Sequence, residues 1–227
     1  MADRSTKDAL YGALAEVAKA LASGRRAEIV DLLAQGDRSV DEVAAEIGQS
    51  TANTSHHLRM LARAGLLHTR RNGTRIYYAL ASDAVAELWS AVRSVGATHV
   101  AEVEQLASAY LGDRDGLEAI GRDELYRRLR RGDVTVIDVR PAAEFASGHV
   151  AGARSVPVDE LERRLHQLSR HTDVVAYCRG PYCVYANDAV RILRRRGFAA
   201  HRLEDGFPEW KRAGLPVEVA ASEGNNR

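Results

Sequence analysis

Gln49-Ser50-Thr51-Ala52-Asn53-Thr54-Ser55-His56-His57-Leu58-Arg59-Met60-Leu61-Ala62-Arg63-Ala64-Gly65-Leu66-Leu67 decides how the first half of this chain folds. Ser50 or Thr51 supplies an N-cap, Leu58 and Leu61 an inward face, and Gly65 a stop. Just upstream, Ser39 and Glu42 have the spacing of a capping box, opening a helix that carries Val43, Ala44 and Ile47 and ends at Gly48. A helix, a short glycine-containing turn and a second helix make a helix-turn-helix. Downstream, residues 66–71 and 75–80 read as strands, and Asn72-Gly73 between them marks a tight hairpin turn. A hairpin placed directly after such a helix is a wing.

Further out the pattern stays helical. Leu10, Leu14, Val17 and Leu21 recur at helical spacing over residues 9–21, and residues 27–33 form a second helix stopped near Gly36. After the wing, one long helix is expected over residues 83–110, with Val85, Leu88, Val92, Val95, Val103 and Leu106 as its apolar stripe.

Charge is balanced overall, with 32 Lys and Arg against 31 Asp and Glu. Locally it is not: residues 49–82 contain no acid but hold Arg59, Arg63, Arg70, Arg71 and Arg75. With Leu58, Leu61 and Ala62 inward, Ala52, Asn53, His56, Arg59 and Arg63 point toward a DNA groove. Asn suits adenine edges there, and Arg suits guanine or phosphate. Arg71, Asn72, Thr74 and Arg75 of the wing are placed for the sugar-phosphate backbone or a minor groove. The helix N-terminus at Ser50 and Thr51 offers N–H groups to a phosphate.

In these residues the first half, from about 8 to 110, resembles the ArsR/SmtB family of winged-helix repressors. That resemblance implies a homodimer through the first and last helices of the domain, here 9–21 and 83–110, on a roughly palindromic double-stranded operator. The metal sensors of the family carry cysteines at or near the recognition helix, and this half has none. Another subgroup carries Asp-x-His and His-x-x-Glu on the last helix. His99 and Glu102 match the second pair, but Asp83 is followed two residues on by Val85. The ligand set is incomplete, and no metal is expected.

Residues 112–117, with Gly112-Asp113-Arg114-Asp115-Gly116, lack periodicity and read as a linker. Beyond them, short buried strands at 134–139, 174–177 and 199–203 alternate with helices, including 184–196, so a parallel α/β sheet is expected. At the end of the second strand lies Tyr177-Cys178-Arg179-Gly180-Pro181-Tyr182-Cys183-Val184, which holds both cysteines of the chain. A thiolate at Cys178 would face backbone N–H groups and the positive end of the following helix, conditions that lower a thiol pKa. Gly180 lets the loop turn, Pro181 removes one donor, and Arg179 can attract an anionic donor. Cys183 can attack an oxidised or sulfur-loaded Cys178, provided the Cα atoms approach to about 4.4–6.8 Å.

Residues 136–140, Glu144-Phe145, residues 148–153, this loop, residues 203–210 and Gly214-Leu215-Pro216 together resemble a single rhodanese domain over 118–219. The resemblance implies Cys178 as the nucleophile for sulfane sulfur, with Arg179, Gly180, Tyr182, Cys183 and Val184 forming the substrate cradle. Cys183 departs from the basic or hydroxyl residue that many active members carry there. Asp138 with Arg140, and His149, read as structural braces; Trp210 reads as core.

The expected architecture is therefore two domains. A mainly α winged helix-turn-helix with a β-hairpin wing spans 1–111, for DNA binding and dimerisation. A linker spans 112–117, an α/β rhodanese-like domain with a parallel sheet 118–219, and a polar tail 220–227. Two cysteines make no disulfide framework, and no apolar run approaches the ~20 residues that span a bilayer. A cytoplasmic protein without a cofactor or membrane partner is expected. Three functions stay open: a regulator, by family a repressor, that senses sulfane sulfur from a donor such as thiosulfate or a persulfide; a sulfurtransferase tethered to DNA; or a regulator whose rhodanese fold is a weakly catalytic interaction module.

Overall fold

The computed structural model describes residues 3–112, 114 and 117–219. The tail at 220–227 and linker positions 113, 115 and 116 lie outside the described residues. Contacts divide the chain into two compact units, Met1–Gly96 and Ala97–Arg227.

The first unit runs α1 (Arg4–Leu21), α2 (Gly24–Leu33), β1 (Arg38–Ser39), α3 (Val40–Glu46), α4 (Thr51–Arg63), β2 (Leu67–Asn72) and β3 (Arg75–Leu80), then enters α5 (Asp83–His99). Its core joins Ile29, Val30, Leu33, Val43, Ile47, Leu58, Leu61, Leu66, Tyr78 and Val85. The Ser39–Glu42 capping box forms as the sequence reading has it: the Ser39 hydroxyl accepts from the Glu42 N–H, and the Glu42 carboxylate accepts from the Ser39 N–H at 2.7 Å. Ser50, rather than Thr51, caps α4, accepting from the Asn53 N–H at 3.3 Å. The three strands are antiparallel in the order β1-β3-β2. Asn72 pairs with Arg75, so the hairpin turns on Gly73-Thr74 rather than on Asn72-Gly73. Gly73 takes φ +59°, a conformation that favours glycine.

The expected single helix over 83–110 is two helices. α5 ends at His99, Val100 adopts an extended conformation (φ −119°, ψ 98°), and α6 (Ala101–Leu111) starts anew. Gly96, Thr98, His99 and Val100 are all weak helix formers crowded into five positions, and this is where the helix breaks. The stripe is also less buried than its periodicity suggests: in α5 only Val85 is buried, while Leu88, Val92 and Val95 are exposed.

The second unit continues from α6 through β4 (Ala119–Ile120), α7 (Arg122–Arg131), β5 (Val134–Asp138), α8 (Ala142–Ser147), β6 (His149–Val150), β7 (Arg154–Ser155) and α9 (Leu161–Arg164). It ends with β8 (Asp173–Tyr177), α10 (Val184–Arg195), β9 (Ala200–Leu203), α11 (Phe207–Arg212) and β10 (Val217–Glu218). Five strands form a wholly parallel sheet, β4-β9-β8-β5-β7. Both faces are covered, as the near-continuous apolar character of its central strands requires. Ile137, Val174 and Ala176 pack under Ala189, Val190 and Leu193 of α10. Their neighbours Val136, Val175 and Tyr177 face Leu125 of α7 and Trp210 of α11. β8 thus delivers Cys178 to the C-terminal edge of the sheet, at the mouth of α10.

Candidate functional sites: the basic face and the cysteine loop

On α4 the inward positions are Thr54, Leu58 and Leu61. Ala52, Asn53, His56, Arg59 and Arg63 all lie exposed on the outward side, as do Ser50 and Thr51 at its start. Arg71, Asn72, Thr74 and Arg75 are exposed at the hairpin tip. Two of these side chains are braced locally: the Arg59 Nε donates to the Ser55 carbonyl (3.2 Å) and the Arg71 Nε to the Gly73 carbonyl (3.1 Å). Arg70 is drawn off to Asp37 at 3.4 Å and stacks toward the Tyr77 ring. The result is an exposed helix and hairpin with a surplus of guanidinium groups, the shape and charge that a DNA duplex accepts.

The cysteine loop is a different kind of site. Cys178 is buried, and Cys183 packs against the same apolar cluster. Their Cα atoms stand 6.3 Å apart, within the approach a plain disulfide requires, and the sulfurs are bonded to each other. The Cys183 N–H closes a turn on the Gly180 carbonyl at 3.1 Å and does not point at a sulfur. Tyr182 and Val184 complete the loop and open α10, whose N-cap, Cys183, offers no side-chain acceptor to the first-turn N–H groups.

Arg179 is engaged. Its Nε sits 3.0 and 3.1 Å from the two carboxylate oxygens of Glu144, and a terminal nitrogen sits 2.6 Å from one of them. Glu144 itself is almost fully buried. The pair is held by fork geometry, and its charges balance within the protein.

Beneath the loop, Asp138 and Arg140 are fully buried and bidentate at 2.6–3.1 Å. Arg140 also donates to the Gly148 carbonyl at 2.7 Å. The Tyr177 hydroxyl donates to Asp138 at 2.6 Å and accepts from the Val150 N–H at 3.1 Å. Burial, and next the Asp138 charge, push the Tyr177 phenol well above its ordinary pKa, so it remains a donor. These groups brace loops and face no solvent. His149 is a brace too, stacked on Phe145 at 3.6 Å and bonded to the Phe145 carbonyl. Trp210 is core, its indole N–H bonded to the Pro216 carbonyl.

Residues 23–69 match the model of the bacterial regulatory protein, arsR family, and residues 121–213 match the rhodanese-like domain. The HTH-type transcriptional regulator Rv0324 of Mycobacterium tuberculosis is 47% identical over 219 residues, covering 96% of both chains. The chain is an arsR-family transcriptional regulator with a rhodanese-like domain. A stretch of 86 residues is 33% identical to a protein named sulfurtransferase from Allochromatium vinosum, covering 37% of this chain and 78% of that one. A solved homodimeric winged helix-turn-helix DNA-binding domain, Mb0332 of Mycobacterium bovis, is 44% identical and covers 44% of this chain and 91% of that one, at a TM-score of 0.41.

Two contacts of the cysteine loop were not assigned from the sequence, in which Gly206 and Glu144 figure only among the rhodanese-like pieces. Gly206 lies against the cysteine loop so closely that a Cβ there would collide with the Gly180 nitrogen and the Arg179 carbonyl carbon. The Phe207 N–H, next along, holds the Cys178 carbonyl at 3.0 Å. Glu144 is the second, because nothing in a lone glutamate announces a partner 35 positions away. The Asp-Gly at 205–206 was the available signal for the first. Among the described residues no group of three or more His, Cys, Asp or Glu is placed to hold a metal, and no helix is long and apolar enough to cross a membrane. His99 and Glu102 fall on opposite sides of the Val100 break.

Proposed function

We propose that this regulator binds operator DNA as a homodimer, through α4 and the wing, and reads sulfane sulfur through Cys178. The observation that carries the reading is the Cys178–Cys183 pair, 6.3 Å apart in one loop at the C-terminal edge of a rhodanese sheet, in a chain that also bears a DNA-binding half. The Cys178 thiolate attacks the outer sulfur of a persulfide or thiosulfate, and the donor leaves as thiolate or sulfite. The Cys183 thiolate then attacks Cys178 Sγ; the disulfide forms and the sulfane sulfur departs as hydrosulfide, taking up the electron pair. Such chemistry suits a reducing cytoplasm, where the resting state is the dithiol.

Dimerisation is supported by the apolar side chains left exposed on α1 and α5: Leu10, Tyr11 and Leu14 on one, Leu88, Val92 and Val95 on the other. A second copy of the chain is the partner that would cover both stripes with one symmetric contact. The Mycobacterium bovis domain is described as homodimeric, which agrees with this reading.

The test is a DNA-binding titration on the protein's own promoter before and after polysulfide, with intact-mass analysis of each sample. Added sulfur or a two-hydrogen loss at the cysteines, together with shifted affinity, supports a sulfur-gated regulator. Cys178→Ser is expected to retain basal binding and lose the response; a variant that still responds overturns the reading. The same mass change with unshifted affinity favours the second reading, a DNA-tethered sulfurtransferase, to which the Allochromatium vinosum similarity lends support.

A further inference from the structure

The Pro181–Tyr182 side of the cysteine loop borders a cavity that the sulfur chemistry above leaves unused. It encloses about 490 Å³, and its wall includes Glu104, Ser108 and Leu111 of α6 with Arg114, Pro181 and Tyr182, all within the second unit. That volume is in the range of sites that take small organic molecules. One terminal nitrogen of Arg114 donates to the Pro181 carbonyl at 3.0 Å, so the guanidinium is fastened to the loop between the two cysteines. Its Nε is buried without a hydrogen-bond partner among the described residues. Burial holds the Arg114 pKa below the ordinary guanidinium value, with the nearby Tyr182 phenol acting the other way. Arg202 has a similarly unpartnered Nε, and its own pKa is lowered by burial and then by the Arg114 charge. Two partly buried cations that repel each other, each with a donor to spare, favour an anion between or beside them.

The other cation of the loop cannot serve, because Arg179 is committed to Glu144. Glu104, exposed and also part of the wall, adds a carboxylate, which a bare inorganic anion would not use. A wall with one cation, one anion, a serine hydroxyl and apolar Leu111 and Pro181 matches a zwitterion with an aliphatic body.

We propose that this cavity binds a zwitterionic low-molecular-weight thiol or persulfide of amino-acid or short-peptide type, its carboxylate on Arg114 and its ammonium on Glu104. The inference rests on the sulfur-reading function above and names its donor. The sulfur-transfer step needs no further reactant: Cys178 thiolate bonds to the outer sulfur of R–S–SH, the S–S bond of the donor breaks, and RS⁻ leaves with that electron pair while the proton stays on the new persulfide.

The experiment is calorimetric titration of the full-length dithiol protein with S-methylglutathione, which carries both charges and cannot transfer sulfur. Saturable binding is expected, weakened at least 10-fold by Arg114→Gln and by Glu104→Gln and partly retained by Arg114→Lys. Absence of binding, or binding unmoved by both variants, overturns the proposal. A parallel mass assay loads Cys178 from glutathione persulfide or inorganic polysulfide. Glu104→Gln, which leaves the Arg114–Pro181 bond to the loop in place, is expected to slow the first donor at least 10-fold and leave the second unchanged; equal slowing of both overturns the donor assignment. If S-methylglutathione binds as stated while neither donor loads Cys178, the cavity stands and the sulfur-reading function fails.

Discussion

The outer face of α4 and the cysteine loop after β8 solve opposite problems. The first is a surface: its working side chains are exposed, attached to a rigid helix and hairpin, and replaceable without touching the core. The second is an interior: Cys178 is buried, Glu144 and Asp138 are buried with it, and a glycine from a distant turn presses on the loop backbone. On the surface, side chains can be exchanged one by one without disturbing the core. In the loop, the contacts that position Cys178 are also the ones that hold the backbone.

The sharpest way to break this comparison is at Asp138. Replacing it with Asn keeps the shape but leaves the fully buried Arg140 cation without its counter-charge, and breaking a buried pair typically costs about 3–5 kcal/mol. Asp138→Asn should therefore lower the urea-unfolding stability of the rhodanese unit by that order while the α4 face keeps its DNA affinity. A loss under about 1 kcal/mol would mean that the network relaxes as a surface does. Next in size is Gly206→Ala. The added methyl meets backbone rather than a movable side-chain end, and overpacking of this kind costs about 1–3 kcal/mol. Because the atoms it strikes belong to Arg179 and Gly180, the rate of Cys178 alkylation in the reduced protein should change as well. Destabilisation with an unchanged alkylation rate would separate the two properties in the loop.

The same contrast explains what could be read from the amino acids alone. The helix-turn-helix was legible because each of its devices is local. Ser39 and Glu42 are three residues apart, Leu58 and Leu61 are one turn apart, and the gap in acids from 49 to 82 is contiguous. Errors there were also local: the break at Val100, where four weak helix formers outweighed an apolar stripe, and the one-residue shift of the hairpin turn. In the rhodanese half β5, β8 and β9, with Cys178 directly after β8, were legible from apolar runs, while β4 and β7, two residues each, were not. The partners of the loop were not, because Arg179–Glu144 and Gly206–Gly180 are joined only by the crossing of strands in a parallel sheet. Sequence spacing carries no trace of such pairings.

On the surface side, Arg59→Ala should leave stability within about 0.5 kcal/mol of the parent, as surface changes do. DNA affinity should fall by about 1–3 kcal/mol if Arg59 reads a base edge. Arg71→Ala should instead weaken binding evenly across sequences and reduce the slope of log affinity against log salt by about one. A fluorescence-anisotropy titration over several salt concentrations, on operator and scrambled DNA, tells these apart. If Arg59→Ala weakened both DNAs equally, α4 would be a phosphate clamp and not the reading element.

The smallest effect lies in the scaffold that presents α4. Glu42 receives the Ser39 N–H, and that backbone bond, ahead of the opposing burial, holds its carboxyl below the usual glutamate range. A carboxyl whose native pKa is depressed contributes stability above its unfolded pKa and loses it as the pH falls through the lower native value. Wild type should thus exceed Glu42→Gln in urea midpoint at neutral pH, and the gap should close on acidification through that window. Glu42 is exposed, so solvent screens the effect and the gap should be small. A gap that stayed constant down to low pH would assign the difference to the shape of the cap rather than to its charge. The capping box would then act as the cysteine loop does, through backbone fit, in the half of the molecule where charge otherwise decides.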